Sequence, residues 1–154
     1  MNAKPRPIVI LLADDDPDDC MLAREALEEA RLVNELHVVG DGEELLGYLR
    51  RENRYAEPNA APRPGLILLD LNMPRKDGRE ALREIKTDPA LRSIPIVVLT
   101  TSRAEEDVFR TYDLGVSSFI SKPVTFEALV EVMKVLGRYW FEIVELPCKP
   151  DETA

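Results

Sequence analysis

Five short apolar runs recur along this chain, each ending in polar or turn-forming residues. Residues 8–12 (Ile-Val-Ile-Leu-Leu) and 66–69 (Leu-Ile-Leu-Leu) are continuous and branched, the pattern of strands buried on both faces. Residues 36–39 read as a short second strand and 94–99 as a fourth, while 118–121 (Ser-Phe-Ile-Ser) is more polar and suits a sheet edge. Between the runs the period changes to that of helices. Cys20, Ala23, Leu27 and Ala30 recur at helical spacing behind Pro17, with Asp16 placed as N-cap. After a turn at 40–42, Leu45, Leu46 and Leu49 mark a second helix ending near Arg51. Ala81, Leu82 and Ile85 mark a third over 79–86, ended by Asp88-Pro89. A fourth is predicted over 105–114 and stopped by Gly115. Thr125 caps the last, whose buried stripe is Phe126, Leu129, Val130, Met133 and Leu136. The proline-rich stretch 53–65 reads as an irregular surface loop, long enough to form a contact surface.

Strands alternating with helices predict an α/β fold: a doubly wound, five-stranded parallel sheet with helices on both faces. Right-handed crossovers favour strand order 2-1-3-4-5, which makes strands one and three neighbours. Asp14 and Asp15, which follow strand one, then lie beside Asp70, which follows strand three. Thr100 and Lys122 end strands four and five at the same edge, where parallel sheets gather ligands.

Composition narrows the classes. With 154 residues, 45% hydrophobic and 32% charged, the chain reads as one soluble domain, and no apolar run is long enough to span a bilayer. Residues 1–7 form a basic, proline-rich lead rather than a secretory signal, because the apolar run behind them ends in acids. The net charge of −9 works against binding to nucleic acid and favours protein partners. Cys20 and Cys148 suggest neither a disulfide framework nor a metal knot, so the expected compartment is the cytoplasm.

Each notable residue has an ordinary reading. Asp70 alone would cap a turn, Thr100 would be a buried β-former and Lys122 a surface charge. Asp18 and Asp19 would be first-turn acids favoured by the helix dipole, and His37 and Met73 would be packing residues. Their joint placement says more. Three carboxylates converging at strand ends repel one another unless a cation joins them, and oxygen-only ligands suit Mg2+. A carboxylate beside such a metal can attack phosphorus and give an aspartyl phosphate. Mg2+ and the Lys122 ammonium would neutralise the phosphoryl oxygens from two sides, and the Thr100 hydroxyl would donate to one of them.

These marks resemble the CheY-like receiver domain of two-component response regulators, with its flavodoxin-like fold. The resemblance runs from about residue 8 to residue 136 and rests on Asp14-Asp15, Asp70-Leu71-Asn72-Met73-Pro74, Asp77-Gly78, Thr100 and Lys122-Pro123. It implies that Asp70 is the phosphoacceptor, that Asp15 and Asp70 are direct Mg2+ ligands with the Asn72 backbone carbonyl, and that Asp14 acts through water. It also implies that Thr100 and Lys122 bind the phosphoryl group, that the Lys122-Pro123 bond is cis, and that Phe119 is the switch aromatic. Phe119 lacks the hydroxyl of the family's frequent tyrosine, and Thr101 stands where many members have alanine.

Beyond the last helix, Tyr139, Trp140, Phe141, Ile143, Val144 and Leu146 make an apolar tail that needs a surface to cover it, on its own domain or on another copy. This tail and the long loop before strand three resemble single-domain regulators that work with bacterial phytochrome histidine kinases. That resemblance implies a sensor histidine kinase as partner and a homodimer built on the last helix, the edge strand and the carboxyl-terminal arm. The expected division is a lead (1–7), a receiver (8–137) and an arm (138–154), with too few residues after Lys122 for a DNA-binding domain. The expected role is a stand-alone phosphoacceptor in signalling rather than an enzyme. Two alternatives stay open: a dimeric scaffold not switched by phosphorylation, and a Mg2+-dependent phosphohydrolase using Asp70. The haloacid-dehalogenase type of hydrolase usually has a second acid where this chain has Asn72, and a cap domain for which there is no room.

Overall fold

The computed structural model describes residues 8–32, 34–100, 115–123 and 125–138. Five strands, β1 (Ile10–Ala13), β2 (Leu36–Val39), β3 (Leu66–Leu69), β4 (Ile96–Thr100) and β5 (Ser118–Ser121), form one sheet. All pairings are parallel and the order is β2-β1-β3-β4-β5, as predicted. The described helices are α1 (Pro17–Glu29), α2 (Gly42–Arg50), α3 (Gly78–Thr87) and α4 (Phe126–Leu136). The helix expected over 105–114, the residues Thr101 and Ser102, the lead, and the tail beyond residue 138 lie outside the described residues. Among those described, no helix is long and apolar enough to cross a membrane.

The central strands are buried on both faces, and their alternation sorts side chains between two cores. Leu11, Ala13, Ile67, Leu69, Ile96 and Val98 pack with the stripes of α2 and α3. Ile10, Leu12, Leu66, Leu68 and Val97 pack with those of α1 and α4. Each fully buried Leu or Ile contributes about 1.5–3 kcal/mol relative to exposure, which pins the register against a one-residue slip. β5 is half-buried, as its polar ends require. Met73 belongs to the α2–α3 core, whereas His37 is part-exposed, with its ring 5.9 Å from that of Tyr48 and its Nε2 2.7 Å from Glu35 Oε2.

Two strands start later than the pattern predicts and each ends one residue later, while α3 extends one residue further at each end. β1 starts at Ile10 rather than residue 8 because its partners in β2 and β3 begin only at Leu36 and Leu66. β4 starts after Pro95, which has no N–H to place in a ladder. The loop 53–65 is not wholly irregular. It holds a short 3-10 turn (Asn53–Ala56), and the Tyr48 hydroxyl and Arg51 Nε donate to the Pro62 and Ala61 carbonyls at 2.7 and 3.2 Å.

Candidate functional site

Register brings the acids together. Ala13 and Leu69 are partners across β1 and β3, so the residues that follow them, Asp14 and Asp70, leave the sheet side by side. The Asp70 N–H still reaches the Ala13 carbonyl at 3.0 Å, extending the ladder by one bond. Beyond Asp14 the chain turns sharply: the Asp16 N–H donates to Asp14 Oδ1 at 3.0 Å, and Asp16 accepts from the Asp18 N–H to cap α1 behind Pro17. Beyond Asp70 the loop closes on itself, since Gly78 packs so tightly that an added Cβ would collide with the Asp70 carbonyl. Asp77 caps α3 by accepting from the Arg79 and Glu80 N–H groups.

Asp14 and Asp70 are 3% and 6% exposed, whereas Asp15 is exposed. One carboxylate oxygen from each of the three lies within 4.8 Å of the others. Hard oxygen donors this close, one of them open to solvent, fit a hydrated divalent cation that keeps several waters. Thr100, at the end of β4, donates its hydroxyl to Asp70 Oδ1 at 2.7 Å, and the Asn72 N–H donates to the same oxygen at 3.2 Å. Lys122 follows β5, held by a bond of 2.8 Å from its N–H to the Thr100 carbonyl. Its Nζ donates to Asp14 Oδ2 at 2.6 Å, Asp19 Oδ2 at 2.8 Å and Asp70 Oδ2 at 3.3 Å. The two oxygens of Asp70 thus differ: one takes neutral donors and the other faces an ammonium.

The electrostatics follow from burial. Burial raises the Asp14 carboxyl above its ordinary value, and the hydrogen bonds from Lys122 and the Asp16 N–H reduce that shift without cancelling it. Burial acts on Lys122 in the discharging direction, but the hydrogen bonds to Asp14 and Asp19 prevail, so the ammonium is held charged well beyond the usual lysine range. Burial and the neighbouring Asp14 and Asp19 push the Cys20 thiol up to about 11, which keeps it protonated and unreactive at neutral pH.

Asp14, Asp15, Asp70, Thr100 and Lys122 therefore meet at one edge as predicted. Asn72 contributes its N–H to the turn. Phe119 is partly buried against the α2–α3 core, opposite Val98 in the register and on the Thr100 face of the sheet. Two features need correction. No cis peptide bond occurs among the described residues, so Lys122-Pro123 is trans, the isomer favoured for an X–Pro bond by about 0.5–1 kcal/mol. Asp19 is not simply a first-turn acid, because it accepts from Lys122. The signal available in sequence was its place in the first turn of the helix that opens from the acidic loop. Asp41, which the residue pattern places only in a turn, is 3% exposed, caps α2 and pairs with Arg75. Asp41 followed three residues later by Glu44 is a capping-box spacing that could have revealed the cap.

The response regulator receiver domain family matches residues 10–134. The chain belongs to that family. Response regulator Rcp1 from Synechocystis sp. is 42% identical over 141 residues, covering 92% of this chain and 94% of that protein. Among solved structures, the phosphorylated cyanobacterial phytochrome response regulator RcpA superposes on this receiver with a TM-score of 0.85 at 43% identity, covering 93% of this chain and all (100%) of that one. The Mn2+-bound form of Rcp1 gives a TM-score of 0.83 at 42% identity, covering 92% and 100%. Membership in the receiver family sets aside the phosphohydrolase alternative.

Proposed function

We propose that this receiver is a stand-alone response regulator that takes a phosphoryl group from a kinase phosphohistidine onto Asp70 and signals through altered protein contacts. The observation that carries the reading is the three-carboxylate cluster with a part-buried ammonium bound to two of its members. Asp14, Asp15 and Asp70, with the Asn72 backbone carbonyl, would hold Mg2+. The bound ion supplies charge neutralisation for the phosphoryl oxygens. An Asp70 oxygen attacks phosphorus, the O–P bond forms as the P–N bond breaks, and the imidazole, already protonated on its other ring nitrogen, leaves neutral with the electron pair of the broken bond. Lys122 moves its ammonium from the carboxylates onto a phosphoryl oxygen. Thr100, bonded to Asp70 before phosphorylation, then donates to the phosphoryl group instead, and Phe119 on the same sheet face follows it inward. The protein's own catalysis is confined to gain and loss of this phosphoryl group.

Similarity to RcpA and Rcp1 supports a bacterial phytochrome histidine kinase as the partner, acting in the cytoplasm. Residues 8–137 form the receiver and 138–154 an arm that joins two copies along α4 and β5. Val135, 63% exposed on α4, supports that surface. Intact mass after incubation with acetyl phosphate and Mg2+, and again with a cognate kinase, tests the acceptor. A single phosphoryl adduct absent from Asp70→Asn is expected, and no adduct under either donor would favour an unphosphorylated scaffold. Sedimentation of a chain ending at Arg138 tests the arm: loss of the dimer is expected, and an unchanged dimer would exclude the arm from it.

A further inference from the structure

A lysine ammonium has three hydrogens, and in Lys122 all three find carboxylates. Two of those carboxylates, Asp14 and Asp70, belong to the acidic cluster, and the third, Asp19, does not. The bond to Asp19 is 2.8 Å against 3.3 Å to Asp70, so the ammonium sits toward α1 rather than over the acceptor. Its surroundings strengthen the pairing. The Lys122 side chain is 14% exposed, and Leu12, Leu22, Leu99 and Phe126 line a cleft beside the Lys122–Asp19 pair, limiting the water that would screen the charges.

We infer that Asp19 is a positioning residue that holds the Lys122 ammonium when a divalent cation takes over Asp14 and Asp70. The inference rests on the metal site proposed above. A cation entering the cluster competes with Lys122 for the same carboxylates, and an ammonium expelled with no remaining partner would be left half-buried and uncompensated, at a cost set against metal binding. Asp19 removes that conflict. It lies outside the three-acid set, it already accepts one hydrogen of Lys122, and it is 38% exposed on its side chain, so water solvates the part of it that Lys122 does not. The arrangement lets metal and ammonium occupy the site together, which phosphoryl transfer requires.

The alternative is that Asp19 is only one more negative charge near the metal. A double-mutant cycle on the full-length chain separates the two, with Mn2+ alone as the probe and binding read by electron paramagnetic resonance of the free ion. The variants are Asp19→Asn, Lys122→Gln and the pair. A field effect persists without Lys122, whereas a holding role needs it. Asp19→Asn should weaken Mn2+ binding about tenfold more in the presence of Lys122 than in the Lys122→Gln background, a coupling within the range seen for contacting residues. Asp19→Glu should restore most of the affinity. Equal loss in both backgrounds, or no rescue by Glu, overturns the inference. Failure of the unmutated chain to bind Mn2+ would instead overturn the metal site on which it rests. Far-ultraviolet circular dichroism of each variant identifies any that fails to fold, and Asp19→Ser then replaces Asp19→Asn in the cycle.

Discussion

Asp14 and Asp41 leave adjacent strands at the same edge of the sheet, each 3% exposed and each bonded to one cation. Burial raises the pKa of both, yet the net shifts are opposite: Asp14 ends above its ordinary 3.8 and Asp41 below it. The difference lies in what else each carboxylate accepts. Asp41 caps α2, taking the Glu44 N–H at 2.8 Å, and Arg75 reaches it through two nitrogens of its guanidinium. Asp14 takes one backbone N–H and shares its lysine with Asp19 and Asp70, and the Asp70 charge adds to its burden. A carboxylate satisfied by cap and cation stabilises the fold. One left short of donors beside another carboxylate is kept at a cost in stability, and that unmet demand is what a metal ion can use.

The largest way to break this contrast is Lys122→Met. It leaves Asp14 and Asp70 buried without their ammonium and should cost about 3 kcal/mol at neutral pH, the scale for removing one partner of a buried pair. Added Mg2+ should restore much of that loss in urea denaturation, and a variant equally unstable with and without Mg2+ would show that the acids do not share a cation. A smaller separation is expected between the acids themselves. Asp41→Ala removes the buried cap of α2 and leaves the Glu44 N–H without its acceptor, at about 2 kcal/mol by chemical denaturation, whereas Asp14→Asn should stay within about 1 kcal/mol of the parent. Equal losses would erase the distinction.

The smallest effect is the pH dependence. A lowered folded-state pKa means that the unfolded chain binds more protons, so Asp41 makes stability rise with pH between its folded value and 3.8. Its contribution is full above 3.8 and is lost as pH falls through the folded value. Asp14 has the opposite sign: with its folded pKa raised, stability falls as pH climbs from 3.8 through that value. Asp14→Asn should therefore flatten the decline above pH 3.8, and Asp41→Asn the rise below it, in denaturation midpoints measured without metal.

Much of this protein is legible in its residue pattern, because the deciding information is local. Leu66–Leu69 can only be a strand buried on two faces, and the last helix is written in Thr125 and the stripe behind it. Once strands and crossovers are recognised, the handedness of the connections places Asp14, Asp15, Asp70, Thr100 and Lys122 at one edge. The pairings inside that edge are another matter. Lys122 and Asp19 are 103 residues apart, and Arg75 and Asp41 are 34 apart. Each pair joins segments that leave different strands, so their separation depends on register, on the angle at which a helix departs and on loop closure.

What the sequence by itself determined is the order of elements, the two-faced core and the membership of the acidic edge, since periodicity and chain connectivity act over a few residues at a time. Only the tertiary structure decided which carboxylate holds the ammonium, which acid is a cap and which is held in reserve. Those outcomes turn on differences of a few tenths of an ångström and on the water excluded by side chains that arrive from elsewhere in the chain.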